Sequence, residues 1–193
     1  MVSQQHNAVD VEHLLDAARE SLIDIGWRRT TITEVARRAG VSRMTVYRNW
    51  PGMDQLAAAV MRREWFRIIE HRHGDGDNPR DVLVDTLVRG ARELRANPVL
   101  VRLITLDPEA LIPYVFERAS GTTHRVVELS IEGVRAGQAS GDIREGSPAV
   151  IARGLALILQ SFLFSAHTLL GPDVTEDDLD EELRQILTRS LRP

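Results

Sequence analysis

Gly40 restricts the fold of this chain more than any other residue. It separates two short stretches, 31–39 and 42–50, each too short to hold a helix in water without packing against something else. The first opens with Thr31 and Glu34 in the Thr-x-x-Glu spacing of a capping box and carries Ile32, Val35, Ala36 and Ala39 on one helical face. Glycine adopts left-handed dihedrals without a Cβ penalty, so Gly40 is expected to stop that helix and let Val41 fold back onto it. Ser42 is a natural N-cap for a second helix, and Pro51 ends it near Trp50 by biasing the preceding residue away from helical dihedrals. Two capped helices around a glycine turn form a helix-turn-helix. Val46 and Trp50 are expected to face inward, leaving Arg43, Met44, Thr45, Tyr47, Arg48 and Asn49 outward.

That outward set suits a DNA major groove. Arginine can fork onto guanine or grip phosphate, methyl groups of Met and Thr can touch a thymine methyl, and Tyr and Asn can donate to phosphate oxygens. Charge along the chain agrees. Residues 27–50 hold six arginines (28, 29, 37, 38, 43 and 48) against the single acid Glu34, a local balance of +5, although the whole chain carries −4. From Gly171 onward seven acids face three arginines, so that end is expected to avoid phosphate.

The stretch from about Val11 to Leu56 resembles the tetracycline-repressor (TetR) family of bacterial transcription regulators. The resemblance lies in Leu15-Asp16-Ala17-Ala18-Arg19-Glu20, in Gly26-Trp27, in Thr30-Thr31-Ile32, and in Gly40-Val41-Ser42 through Tyr47-Arg48. It implies an all-α fold: an N-terminal three-helix DNA-binding head over 1–52, and a helical-bundle ligand-binding and dimerisation domain over 53–193. Position by position, it implies DNA contacts from Thr31, Thr33, Ser42, Arg43, Met44, Thr45, Tyr47 and Arg48; the outward face adds Asn49. Two positions depart from the family pattern. A small or polar residue is common where Met44 stands, and lysine where Met53 stands, so one phosphate contact is expected to be missing.

The rest of the chain reads as helices. Val11, Leu14, Leu15, Ala18, Leu22 and Ile25 form a helical stripe after a polar start at 1–8 that is expected to stay loose. A fourth helix over about 53–72 points Leu56, Val60, Phe66 and Ile69 inward. Prolines at 79, 98, 108 and 148 mark helix starts, giving expected helices over 79–96, 98–105, 108–137, 148–170 and 175–191, and strand signals are lacking. The 148–170 segment is apolar almost all round and of membrane-spanning length, but Arg153, Gln160 and His167 recur along one face. Burial against both its own core and a partner chain explains it better. With a second Thr-x-x-Asp capping box at Thr175 and Asp178, the last two helices present Leu155, Ile158, Leu159, Leu179, Leu183 and Ile186 as dimer-interface candidates.

In the family architecture Trp65, Phe66, Ile69, Leu103, Phe116, His124 and Phe162 are candidates for a ligand pocket, against plain core packing. The loop His71-Arg72-His73-Gly74-Asp75-Gly76-Asp77-Asn78 gathers imidazoles and carboxylates without a recognised ligand spacing, so no metal site is assigned. No catalytic residue and no cofactor is expected, because nucleophile elbows, phosphate loops and paired carboxylates are absent from the sequence. The chain has no cysteine, and its start lacks secretory features, so a bacterial cytoplasmic protein, nucleoid-associated when bound to DNA, is expected. The reading is a homodimer bound to a palindromic operator in double-stranded DNA, with a small-molecule effector and no membrane. Repression is expected, with activation left open. A protein-docking scaffold would instead expose large apolar residues in place of the outward arginines, and an enzyme would show convergent titratable groups.

Overall fold

In the computed structural model, which describes residues 2–70, 74–112 and 121–193, the described residues form nine α-helices and no strand. They are α1 (Val2–Ile25), α2 (Ile32–Arg38), α3 (Arg43–Asn49), α4 (Met53–Glu70), α5 (Pro79–Ala96), α6 (Pro98–Leu106), α7 (Gly121–Ser140), α8 (Pro148–Ser165) and α9 (Glu176–Leu191). Two 3-10 turns, Pro108–Leu111 and Ala166–Thr168, follow α6 and α8. The helices divide into two compact units, Met1–Trp65 with Asn97–Pro113, and Phe66–Ala96 with Tyr114–Pro193.

The first unit is larger than the expected head over 1–52. Its core gathers Leu14, Ala18 and Leu22 from α1, Val35 and Ala36 from α2, Val46 from α3, and Leu56 and Val60 from α4. Burying each of these leucines and valines stabilises by about 1.5–3 kcal/mol. The unit also takes in α6, whose Leu100 and Leu103 are buried and which packs on α1. Asn97 caps α6 through its carbonyl oxygen, which accepts from the amides of Val99 and Leu100, and its amide group donates to Glu64. Glu64 in turn accepts from Arg19 at 2.9 Å.

The second unit packs α5, α7, α8 and α9 around Leu83, Leu87, Val88, Val134, Ile151, Leu155, Leu183 and Leu187. The proline starts at 79, 98 and 148 mark helices as expected. Pro108 does not: it opens a 3-10 turn, and the next described helix begins at Gly121. The helix at Pro148 ends at Ser165, short of 170, and passes into the second 3-10 turn. α9 begins one residue after its cap, with the capping box complete: Thr175 Oγ1 accepts from the Asp178 amide, and Asp178 accepts from the Thr175 amide. At the other end of the chain α1 starts at Val2, where 1–8 was expected to be loose. Gln, His and Ala there offer no helix breaker.

The Pro148–Thr168 segment is long and apolar enough to cross a membrane, and 28% of it is buried within the chain. Ile151 and Leu155 pack into the core of the second unit, and Ala152 is buried beside them.

Candidate nucleic-acid interface

The hairpin is built by local chemistry at each joint. Thr31 sits in extended dihedrals and its side chain accepts from the Glu34 amide, starting α2. Only half of the expected capping box forms. The Glu34 carboxylate turns to Arg37, with contacts of 2.9 and 2.7 Å, and the Arg37 bond holds its carboxyl below the usual range.

Gly40 has φ of +65°, and the Val41 amide donates to Ala36 O while the Gly40 amide donates to Arg37 O. That pair of bonds is a Schellman closure, which satisfies carbonyls that the helix end would leave unpaired. Val41 then packs on the core. Ser42 caps α3 by accepting from the Thr45 amide, and Trp50 leaves the helix at φ −137°, ψ 121° ahead of Pro51. Behind the turn, His13 Nε2 lies 3.0 Å from Ala39 O and braces it from α1.

This geometry presents one face. Val46 is fully buried and Trp50 packs against the core, while Ser42, Arg43, Met44, Tyr47, Arg48 and Asn49 are exposed, as are Thr31 and Thr33 at the start of α2. Thr45 is half-buried, with its hydroxyl 3.0 Å from that of Ser42. Met44 is 73% exposed, a large apolar side chain held in water on an otherwise polar face. Asn49 donates to Thr45 O, which fixes its side chain along the helix. Met53 is half-buried and packs on the head core, so the departure from lysine there serves packing.

The local charge is smaller than the sequence count. Arg38 pairs with Asp24 at 2.6 Å and lies 3.7 Å from both Glu20 and Glu34. Arg28 pairs with Asp107 and Glu109. With Arg37 held by Glu34, Arg28, Arg37 and Arg38 are all matched by carboxylates, most of them from outside 27–50. The positive surface narrows to α3 and its flanks. Asp107 and Glu109, some 80 residues away, were not recognisable as parts of this site; the sequence marks them only as acids on either side of Pro108.

The other sequence candidates are dispersed. Trp65 and Leu103 are buried in the first unit; Phe66, Ile69 and Phe162 are half-buried in the second; His124 is exposed, and Phe116 lies outside the described residues. The sealing of Leu103 follows from α6 packing on α1, which 3.6-residue periodicity alone does not reveal. Leu155 and Leu183 are 2% and 0% exposed inside their own unit, which corrects their place as dimer-interface candidates. Ile158, Leu159, Leu179 and Ile186 are half-buried, and Val150 and Leu157 on α8 are 70% and 69% exposed. His71 and His73 lie outside the described residues, and no group of metal-ligating side chains occurs among the described ones. Instead, Gly74 and Asp75 fold against α5, their amides donating to Thr86 and Asp85.

A capped helix-turn-helix with an exposed Arg/Tyr/Asn face, carried in an all-helical chain, defines a DNA-binding transcription regulator. Residues 14–60 match the family model for bacterial regulatory proteins of the tetR family. Over 185 residues the chain is 34% identical to the HTH-type transcriptional regulator Rv2250c of Mycobacterium tuberculosis, covering 93% of this chain and 91% of that one. Among solved structures, the TetR family repressor AlkX of Dietzia, implicated in biodegradation of n-alkanes, aligns with a TM-score of 0.64 at 21% identity, covering 92% of each chain. A SmeT–triclosan complex aligns with the same TM-score at 18% identity, covering 96% of this chain and 92% of that one. The chain belongs to the TetR family of bacterial transcription regulators.

Proposed function

We propose that this regulator is a homodimeric repressor that binds a palindromic operator and is released by a small apolar or amphipathic ligand. Residues 1–52 would read DNA, and residues 53–193 would bind the ligand and dimerise. The protein would work in the cytoplasm, at the nucleoid when bound. The observation that carries the reading is α3: a helix capped at both ends, anchored by the fully buried Val46, with Arg43, Met44, Tyr47, Arg48 and Asn49 outward. Thr31, Thr33, Ser42 and Thr45 flank the same face. Arg48 and Tyr47 are assigned to phosphate, and Arg43 and Met44 to base edges.

Dimerisation is supported by α8. Its Val150 and Leu157 remain exposed beside Gly154, a small residue that lets another helix approach closely. Leaving such a face in water is costly, and a second copy using α8 with Leu179 and Ile186 of α9 would cover it. A two-fold pair reads half-sites on one face of the duplex, roughly 34 to 36 Å apart or a multiple of that. Ligand binding would favour a head spacing that no longer fits successive grooves, and by linkage DNA would weaken ligand binding by the same factor. SmeT, a relative in fold, is solved in complex with the small molecule triclosan, which agrees with a small-molecule site in this fold.

The test is selection of bound fragments from random duplex DNA, with the mass of the free protein measured in solution. An inverted repeat and a dimer mass are expected. Recovery of fragments without a common sequence, or a monomer at micromolar concentration, overturns the corresponding part.

A further inference from the structure

The turn that feeds the hairpin is held by a side chain from far along the sequence. Asp107 ends α6 and is 4% exposed. A carboxylate so buried is costly unless its oxygens are engaged. Its Oδ2 accepts from the backbone amide of Trp27 at 2.8 Å, and its Oδ1 lies 3.8 Å from Arg28 Nε.

Gly26, the preceding residue, has φ of +84°, and a Cβ there would meet Asp107 Oδ2 at 3.0 Å. The turn therefore wraps the carboxylate closely. On its far side Thr30, 4% exposed, closes the turn by donating both its hydroxyl, at 2.7 Å, and its amide to Gly26 O. Thr31, the N-cap of α2, follows immediately. Two neighbouring contacts repeat the connection: Arg102 donates to Asp24 O at 3.1 Å, and Glu109 pairs with Arg28. Residues 102–109 thus grip 24–28 at three points, all within one compact unit.

We propose that Asp107, assisted by Glu109, is a positioning residue for DNA binding, holding the 26–30 turn so that α2 and α3 leave α1 at the angle the groove requires. The proposal rests on the reading of α3 as a DNA-recognition helix. It makes a prediction opposite in sign to simple electrostatics. Removing an acid from a DNA-binding head should tighten its grip on a polyanion, whereas loosening the turn should weaken it.

The experiment compares wild type with Asp107→Ala, Asp107→Asn and Glu109→Ala on the duplex that wild type selects, at a temperature well below each variant's melting midpoint. Asp107→Ala, which lacks the acceptor, is expected to weaken binding about tenfold, the scale of a hydrogen bond to a charged group. Asp107→Asn keeps an acceptor for the Trp27 amide and is expected to stay within about threefold of wild type. Glu109→Ala removes an exposed pair and is expected to weaken binding about threefold. Because Glu109 is exposed, its variant carries the test if Asp107→Ala fails to fold. Binding by Asp107→Ala and Glu109→Ala as tight as wild type or tighter overturns the positioning role. A wild type that selects no sequence overturns the DNA reading itself, and this proposal with it.

Discussion

α3 and α8 both hold large side chains in water, but of opposite chemistry. The face of α3 carries two arginines, a tyrosine, an asparagine and Met44; the face of α8 carries Val150, Gly154 and Leu157, with one charge at Arg153. The first face is polar and well solvated, and gains from meeting phosphates and base edges. The second is poorly solvated and gains from meeting apolar surface. Exposure alone therefore does not identify a binding site. The chemistry of what is exposed separates a face suited to DNA from a face suited to apolar surface.

The comparison breaks most visibly at α8. Leu157→Glu puts a charge on the apolar face without touching the core of its unit. It is expected to yield a monomer by sedimentation and to cost at least about 100-fold in affinity for the selected duplex, the scale on which one head alone falls short of two. A variant that stays dimeric would show that this face is not the interface. On α3, Arg48→Ala is expected to weaken binding about tenfold on every sequence and to lower the salt slope by about one, as loss of a phosphate contact does. Met44→Ala should shift which base is preferred, with a smaller change in affinity for non-specific DNA. Equal losses from both variants on all sequences would remove the division between grip and readout.

A smaller effect is expected at the turn itself. Gly40 is at φ +65° with open space where a Cβ would stand, so Gly40→Ala meets backbone strain and no clash. The expected loss is about 1 kcal/mol, read as a lower melting midpoint. The weakest effect concerns pH and the second unit. Burial raises the Asp85 carboxyl, but the Asp75 amide, Arg184 and Arg89 together outweigh it, so its pKa lies below the ordinary 3.8. A carboxylate with a lowered pKa in the folded state contributes stability above its unfolded value and loses it as pH falls through the folded one. Melting of the second unit should therefore be insensitive to Asp85 near pH 7 and fall below about pH 3.8. Asp85→Asn should be less stable than wild type at neutral pH and show a shallower acid limb; identical acid limbs would count against the network.

Much of the hairpin was legible because its determinants are local. Thr31, Gly40, Ser42 and Pro51 each act on neighbours within five residues, and the proline-started helices α5, α6 and α8 follow the same logic. The long-range parts were not. Periodicity places Leu155 and Leu183 on an apolar face but does not say whether that face meets its own core or a partner. The grip of Asp107 on Trp27 spans 80 residues, and the sequence has no mark for it beyond a polar residue before Pro108. The charge count misled for the same reason, since Asp24 and Glu109 neutralise arginines from outside the counted segment.

The central claim is that α3 reads DNA by sequence, and equilibrium binding to the selected duplex and to its shuffled counterpart across a salt series tests it most directly. The account predicts that affinity for both falls steeply with salt while the selected duplex stays favoured by at least about 1,000-fold. A flat salt dependence, or equal affinity for the two duplexes, would contradict it.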